Sequence, residues 1–131
     1  VTMTIKQVSV FLENKTGRTQ QVTQLLADND IDILAFSLAD SSEFGILRLI
    51  VNDTEKAIKV LKDAHIAVIL TDVIRIDVQN TTGSLAQILK FLLEKNISIE
   101  YMYALQGDGL CSTIIRPYHF EECKDTINSF N

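Results

Sequence analysis

Val8, Val10 and Leu12 alternate with Ser9, Phe11 and Glu13, the period of two that gives a β-strand one buried face. Asn14-Lys15-Thr16-Gly17 breaks the alternation, after which Val22, Leu25, Leu26 and Asn29 follow helical spacing. Ile31 to Ala39 is rich in apolar and aromatic residues and runs into the polar turn Asp40-Ser41-Ser42-Glu43, which predicts a hairpin to a third strand. Asp53 or Thr54 can cap a second helix that carries Ala57, Val60, Leu61 and Ala64 along one side. Ala67 to Leu70 closes this stretch as a fourth strand.

The pattern then starts again. Residues 6–70 align with residues 72–131 at an offset of 66, so that Asn14, Thr16, Gly17, Gln21, Leu26, Ile31 and Ile33 recur as Asn80, Thr82, Gly83, Gln87, Leu92, Ile97 and Ile99. Ile74, Ile76 and Val78 repeat the first strand, and Leu85, Ile88, Leu89 and Leu92 the first helix. Ile97 to Leu105 and the turn Gln106-Gly107-Asp108-Gly109 repeat the hairpin, and Phe120, Cys123, Ile127 and Phe130 the second helix. Two residues must be dropped before Gly45 meets Gly109, in a turn, where length changes are tolerated. The order βαββαβ predicts an α+β fold made of two ferredoxin-like units, 1–71 and 72–131. Each is an antiparallel sheet with both helices on one face. No Pro-, Gly- or Ser-rich spacer separates them at Thr71-Asp72. The second unit lacks its final strand, which would leave Val73–Gln79 with unpaired backbone groups unless another chain or segment covers that edge.

Composition removes most functional classes. With 131 residues, 47% hydrophobic and 22% charged, the chain suits a folded protein of one or two small domains and excludes a disordered tail. The net charge of −5, with the basic residues scattered, argues against a nucleic-acid partner, whose phosphates require clustered Lys and Arg. Apolar runs of only a few residues predict neither a spanning helix nor a signal peptide, hence a soluble, cytoplasmic protein without a membrane partner. Cys111 and Cys123 are too few and too far apart for a metal cluster and read as reduced, buried small hydrophobes. His65, at the end of one helix, and His119, at the start of another, have no Cys, Ser or carboxylate at a spacing that suggests a triad or metal pair. No phosphate-binding loop, dinucleotide fingerprint or nucleophile elbow occurs, so neither an enzyme nor a bound cofactor or metal is expected.

Asn80-Thr81-Thr82-Gly83-Ser84-Leu85-Ala86, followed by Glu94-Lys95-Asn96-Ile97-Ser98-Ile99, resembles the ACT domain. Asn14-Lys15-Thr16-Gly17-Arg18-Thr19, followed by Asp28-Asn29-Asp30-Ile31-Asp32-Ile33, carries the same pattern, so the resemblance covers nearly the whole chain as a tandem pair. It is most like the small stand-alone double-ACT proteins of bacteria. Thr16 and Thr82 stand where the family usually has Pro, and each offers a hydroxyl for capping the following helix. Thr19 replaces the apolar residue matched by Leu85. The resemblance implies a regulatory module that binds a free amino acid in a crevice between paired units, formed by this turn of one and the start of the second strand of its neighbour. Carried over by position, the ligand-binding residues are Asn14, Lys15, Thr16, Gly17, Arg18, Asn29, Ile31 and Ile33, and Asn80, Thr81, Thr82, Gly83, Ser84, Leu85, Asn96, Ile97 and Ile99.

A physical case for a small-ligand site stands beside the resemblance. A glycine at a helix start lets backbone approach a ligand closely, and the helix's unpaired N–H groups and dipole favour a carboxylate there. Asn14 or Asn80 could supply an amide, and Lys15 or Arg18 a positive charge. The structural readings remain open at the same positions: a Gly turn packs any such fold, an Asn beside it makes a local turn, and the four isoleucines are core residues first. Two functions therefore compete, an amino-acid-binding regulator docked to an enzyme of amino-acid metabolism or acting alone, and a scaffold without ligand. Free sheet edges predict a homodimer in either case.

Overall fold

The computed structural model describes residues 2–13, 17–40, 44–105 and 109–130. Ten elements follow in order: β1 (Thr2–Glu13), α1 (Arg18–Asp28), β2 (Ile33–Asp40), β3 (Phe44–Val51), α2 (Thr54–Asp63), β4 (Ala67–Gln79), α3 (Ser84–Glu94), β5 (Ile99–Leu105), β6 (Leu110–Pro117) and α4 (Phe120–Asn128). The predicted βαββαβ plan is present, with one difference. No break occurs at Thr71-Asp72, and the last strand of the first repeat and the first strand of the second are a single strand of 13 residues. Thr is a good strand former, and without a Gly or Pro nothing in the chain interrupts the pleat there.

The chain divides into two compact units, Lys6–Thr71 and a second made of Asp72–Asn131 with Val1–Ile5. In Lys6–Thr71 the strands run in the order β2-β3-β1-β4. β3 is antiparallel to β1, with Val8 opposite Leu49 and Leu12 opposite Gly45, and antiparallel to β2, with Phe36 opposite Leu49. Val8, Val10 and Leu12 share one core with Val22 and Leu26 of α1 and Ala57 and Leu61 of α2, so both helices cover one face, as the alternation predicts. On the other face of β1, Gln7 donates to the Ser9 hydroxyl at 2.9 Å, and Ser9 is 2.9 Å from the Thr71 hydroxyl.

In the other unit β6 is antiparallel to β4, with Ile74 opposite Ile115, and to β5, with Met102 opposite Ile115. Ile74, Ile76, Ile88, Leu92, Ile115, Phe120 and Ile127 form its core. α3 buries Ile88 and Leu92 but exposes Leu85 and Leu89, which lie one position round the helix from the buried row. The strand missing from the second repeat is replaced from the chain's own start. β4 neighbours β1, and the β1 residues that belong to this unit are its first few, with the Thr2 hydroxyl donating to the Phe130 carbonyl at 3.3 Å.

Three helices stop in the same way. Asp30, His65 and Asn96 take left-handed backbone with φ near 58°, 61° and 57°. The following Ile31, Ile66 and Ile97 donate back to the carbonyls of Leu26, Leu61 and Leu92 at 3.0, 3.0 and 2.9 Å. This is a Schellman cap, in which the isoleucine seals the helix end against the core while Asn, Asp or His tolerates the left-handed position.

Candidate functional site

Both strand-to-helix turns end on a glycine that caps the next helix. Gly17 has φ 87° and ψ −3°, Gly83 φ 90° and ψ −2°, a left-handed conformation that strains any residue with a Cβ. No side chain caps either helix. The expected capping role of the Thr82 hydroxyl is therefore corrected: Gly83, not Thr82, occupies the cap position. Asn14, Lys15 and Thr16 lie outside the described residues.

Around the first glycine the structure leaves a hollow. Leu12, Leu38 and Gly45 line its apolar side, and Glu13, Arg18, Thr19 and Asp40 its polar side, around about 160 Å³. That is room for roughly five waters, the scale of a small metabolite. A neighbouring hollow of about 100 Å³ reaches from Arg18 to His65. Arg18, half-buried at the first position of α1, bonds Gln21 at 3.0 Å and lies 3.8 Å from Glu13. An ion pair this long and this exposed is worth little, so the guanidinium can change partners at small cost.

Glu13, Leu38 and Asp40 did not emerge from the turn motif. The signal for them is topological: Glu13 ends β1 and Asp40 ends β2, and β3 holds both at one end of the sheet through Phe44 and Gly45.

The second turn has the same backbone and different side chains. Ser84, at the position of Arg18, is buried; its hydroxyl donates to the Gln79 carbonyl at 2.6 Å and lies 2.9 Å from that of Thr81. The Asn80 N–H reaches the Gly109 carbonyl at 3.3 Å. Thr81, Thr82 and Leu85 are exposed. The remaining candidates serve the helix ends. Asn29 donates its amide to the Leu25 carbonyl at 2.8 Å, Asn96 takes the left-handed stop, and Ile31, Ile33, Ile97 and Ile99 pack on the two cores. Cys111, on β6, and Cys123, on α4, are free and half-buried rather than fully buried. Among the described residues no group of three or more His, Cys, Asp or Glu could hold a metal, and no helix is long and apolar enough to cross a membrane.

The family model for the ACT domain pair matches residues 3–129. The chain belongs to the ACT domain pair family. Among solved structures, this ACT pair is similar to a protein from Bacteroides thetaiotaomicron, at 43% identity and a TM-score of 0.85, over 97% of this chain and 88% of that one. The ligand-free regulatory subunit of aspartate kinase from Thermus thermophilus has the same fold at 17% identity and a TM-score of 0.66, over 99% and 97% of the two chains. The corresponding subunit from Thermus flavus has it at 15% identity and a TM-score of 0.61, over 96% and 93%. The search of curated proteins gave no match.

Proposed function

We propose that this ACT pair is a cytoplasmic regulatory module that binds a free amino acid, transforms nothing chemically, and reports its ligand to an enzyme of amino-acid metabolism. The observation that carries this reading is the hollow beside Gly17. It brings one guanidinium, from Arg18, and two carboxylates, from Glu13 and Asp40, to an apolar floor of Leu12 and Leu38. A zwitterion needs that set: a cation for its carboxylate, anions for its ammonium, and an apolar surface for its side chain. The start of α1, with no side-chain cap, adds N–H groups and a dipole that favour the carboxylate. The proposal includes self-association of the chain, which supplies alternative packings for a ligand to choose between, with coupling of ~1–3 kcal/mol.

Packing alone is supported at the second turn, where Ser84 and Thr81 spend their hydroxyls on the turn itself. The reading therefore places the ligand at the first turn. A thermal-shift and calorimetric screen of the twenty amino acids tests it: the ligand at 100 times its dissociation constant stabilises the protein by ~2.7 kcal/mol. A flat screen at millimolar concentrations, on a folded sample, overturns the reading and leaves the scaffold.

A further inference from the structure

We infer that the hollow beside Gly17 takes an amino acid whose side chain ends in a cation, of the length of lysine or ornithine, and that Asp40 and Gly45 make that choice. The inference rests on the proposed amino-acid site and adds the class of side chain the site accepts. Among the described residues the hollow sets two carboxylates, of Glu13 and Asp40, against one guanidinium, of Arg18. A zwitterion uses one cation and one anion and leaves a negative charge over. Glu13 and Arg18 lie together, 3.8 Å apart, so they answer to the α-ammonium and the α-carboxylate. Asp40 is the surplus: its carboxylate makes no ion pair or hydrogen bond among the described residues.

The register sets Asp40 at a distance from that pair. Leu12 of β1 and Asp40 of β2 both lie opposite Gly45 of β3, so the row Leu12, Gly45, Asp40 crosses three strands. Two strand spacings are roughly 10 Å. A side chain that starts beside Glu13, at the β1 end of the row, reaches Asp40 only if it is long, and Leu12 and Leu38 offer its methylenes an apolar floor. Gly45 clears the path. It is buried and paired on both sides, where glycine weakens a strand and marks close approach of a ligand or another backbone. Its backbone does not require glycine, since it is not left-handed as Gly17, Gly83 and Gly109 are. Crowding does not require it either. A Cβ built there would lie 3.5 Å from the Ala39 carbonyl oxygen and 3.7 Å from both Leu38 Cδ1 and Asp40 Oδ1, all ordinary contacts. The missing side chain leaves space beside the Asp40 carboxylate and the Leu38 methyl, on the wall of the hollow.

Calorimetry of the full chain with lysine, norleucine and 2-aminoadipate, which are similar in length and differ in charge at the tip, tests the inference. Lysine is expected to bind about 10-fold tighter than norleucine, with 2-aminoadipate the weakest. Asp40→Asn brings lysine down to the affinity of norleucine and leaves norleucine unchanged, and Asp40→Lys reverses the order in favour of 2-aminoadipate. Gly45→Val fills the floor and weakens lysine and norleucine alike by about 10-fold, without lowering the urea midpoint, because valine suits a strand. Asp40 is exposed at a strand end, so its variants keep the fold and decide the outcome even if Gly45→Val does not fold. An apolar or anionic amino acid that binds tighter than lysine, or a lysine affinity indifferent to Asp40→Asn, overturns the inference and leaves the amino-acid site standing. A flat screen of all twenty amino acids overturns the site and the inference with it.

Discussion

The two glycine turns have one backbone and two chemistries. Gly17 and Gly83 differ by 3° in φ and by 1° in ψ, and each offers its carbonyl to the N–H four residues on, from Gln21 at 2.9 Å and Gln87 at 3.0 Å. One residue later they part. Arg18 reaches out over a hollow, whereas Ser84 folds its hydroxyl back on the turn. At the same offset Glu13 becomes Gln79, Thr19 becomes Leu85 and Leu38 becomes Ala104, so the charges that could hold a zwitterion occur in the first copy alone. The repeat preserves what the fold requires of the backbone. Side chains that no packing constraint governs have diverged, and a ligand site belongs with those.

The contrast is sharpest if the two residues after the glycines are removed separately. Ser84→Ala removes the Ser84 hydroxyl from the Gln79 carbonyl, which keeps the Thr81 N–H at 2.8 Å, a loss of ~0.5–1.5 kcal/mol in stability read from denaturant melts, with ligand affinity unchanged. Arg18→Ala does the opposite. Its ion pair with Glu13 is long and exposed, so stability changes by less than about 0.5 kcal/mol, while amino-acid affinity falls about 10–100-fold in calorimetry. Equal losses of affinity in both variants would mean that the two turns are equivalent sites.

The glycines themselves should respond alike. Nothing lies within 4 Å of a Cβ built on Gly17 or Gly83, so alanine meets no clash at either position and costs only the left-handed backbone. Gly17→Ala and Gly83→Ala are therefore each expected to lose ~1–2 kcal/mol of stability, with no difference between them. Binding separates them: only Gly17→Ala weakens the ligand, because only that turn borders the hollow.

How far the sequence could be read follows the same division. Backbone requirements repeat at a fixed offset, so the two copies, their strand alternation and their glycine turns were legible from Val8 to Ile99. The Asn-Ile pattern was legible too, but its reading as ligand contact was open, and the structure gives Asn96 and Ile97 a role in ending α3. Three things were not legible. Thr71-Asp72 fits a strand interior as well as a join, so local propensity could not show that β4 runs through. Replacement of the missing strand by the start of β1 is a long-range pairing, and no local pattern encodes it. The hollow needs Glu13, Arg18 and Asp40 together, and these meet only once β3 has brought the ends of β1 and β2 side by side.

The smallest expected effect tests where each copy keeps its charges. At the positions of Ser9 and Phe11 in the first copy, the second has Arg75 and Asp77, paired at 2.8 Å on the face of β4 away from the helices. Burial pushes the Asp77 pKa up, but the Arg75 hydrogen bond, the nearby Ser112 hydroxyl and the guanidinium charge outweigh it, and the net shift is downward. Ser112 lies opposite Asp77 in the β4–β6 register and makes no hydrogen bond of good geometry, so it acts as an adjacent dipole and Arg75 supplies the bond. A carboxylate whose pKa is lowered on folding stabilises the native state above its unfolded value of 3.8, and that stability is lost as pH falls through the lowered value. Asp77→Asn should therefore lower the urea midpoint at pH 7 and at pH 5 by the same modest amount, and the gap to the wild type should close below pH 3.8. A gap that persists unchanged into acid would mean that Asp77 acts through its shape. Arg75 and Asp77 would then be no working ion pair, and this difference in charge between the copies would rest on the turn alone.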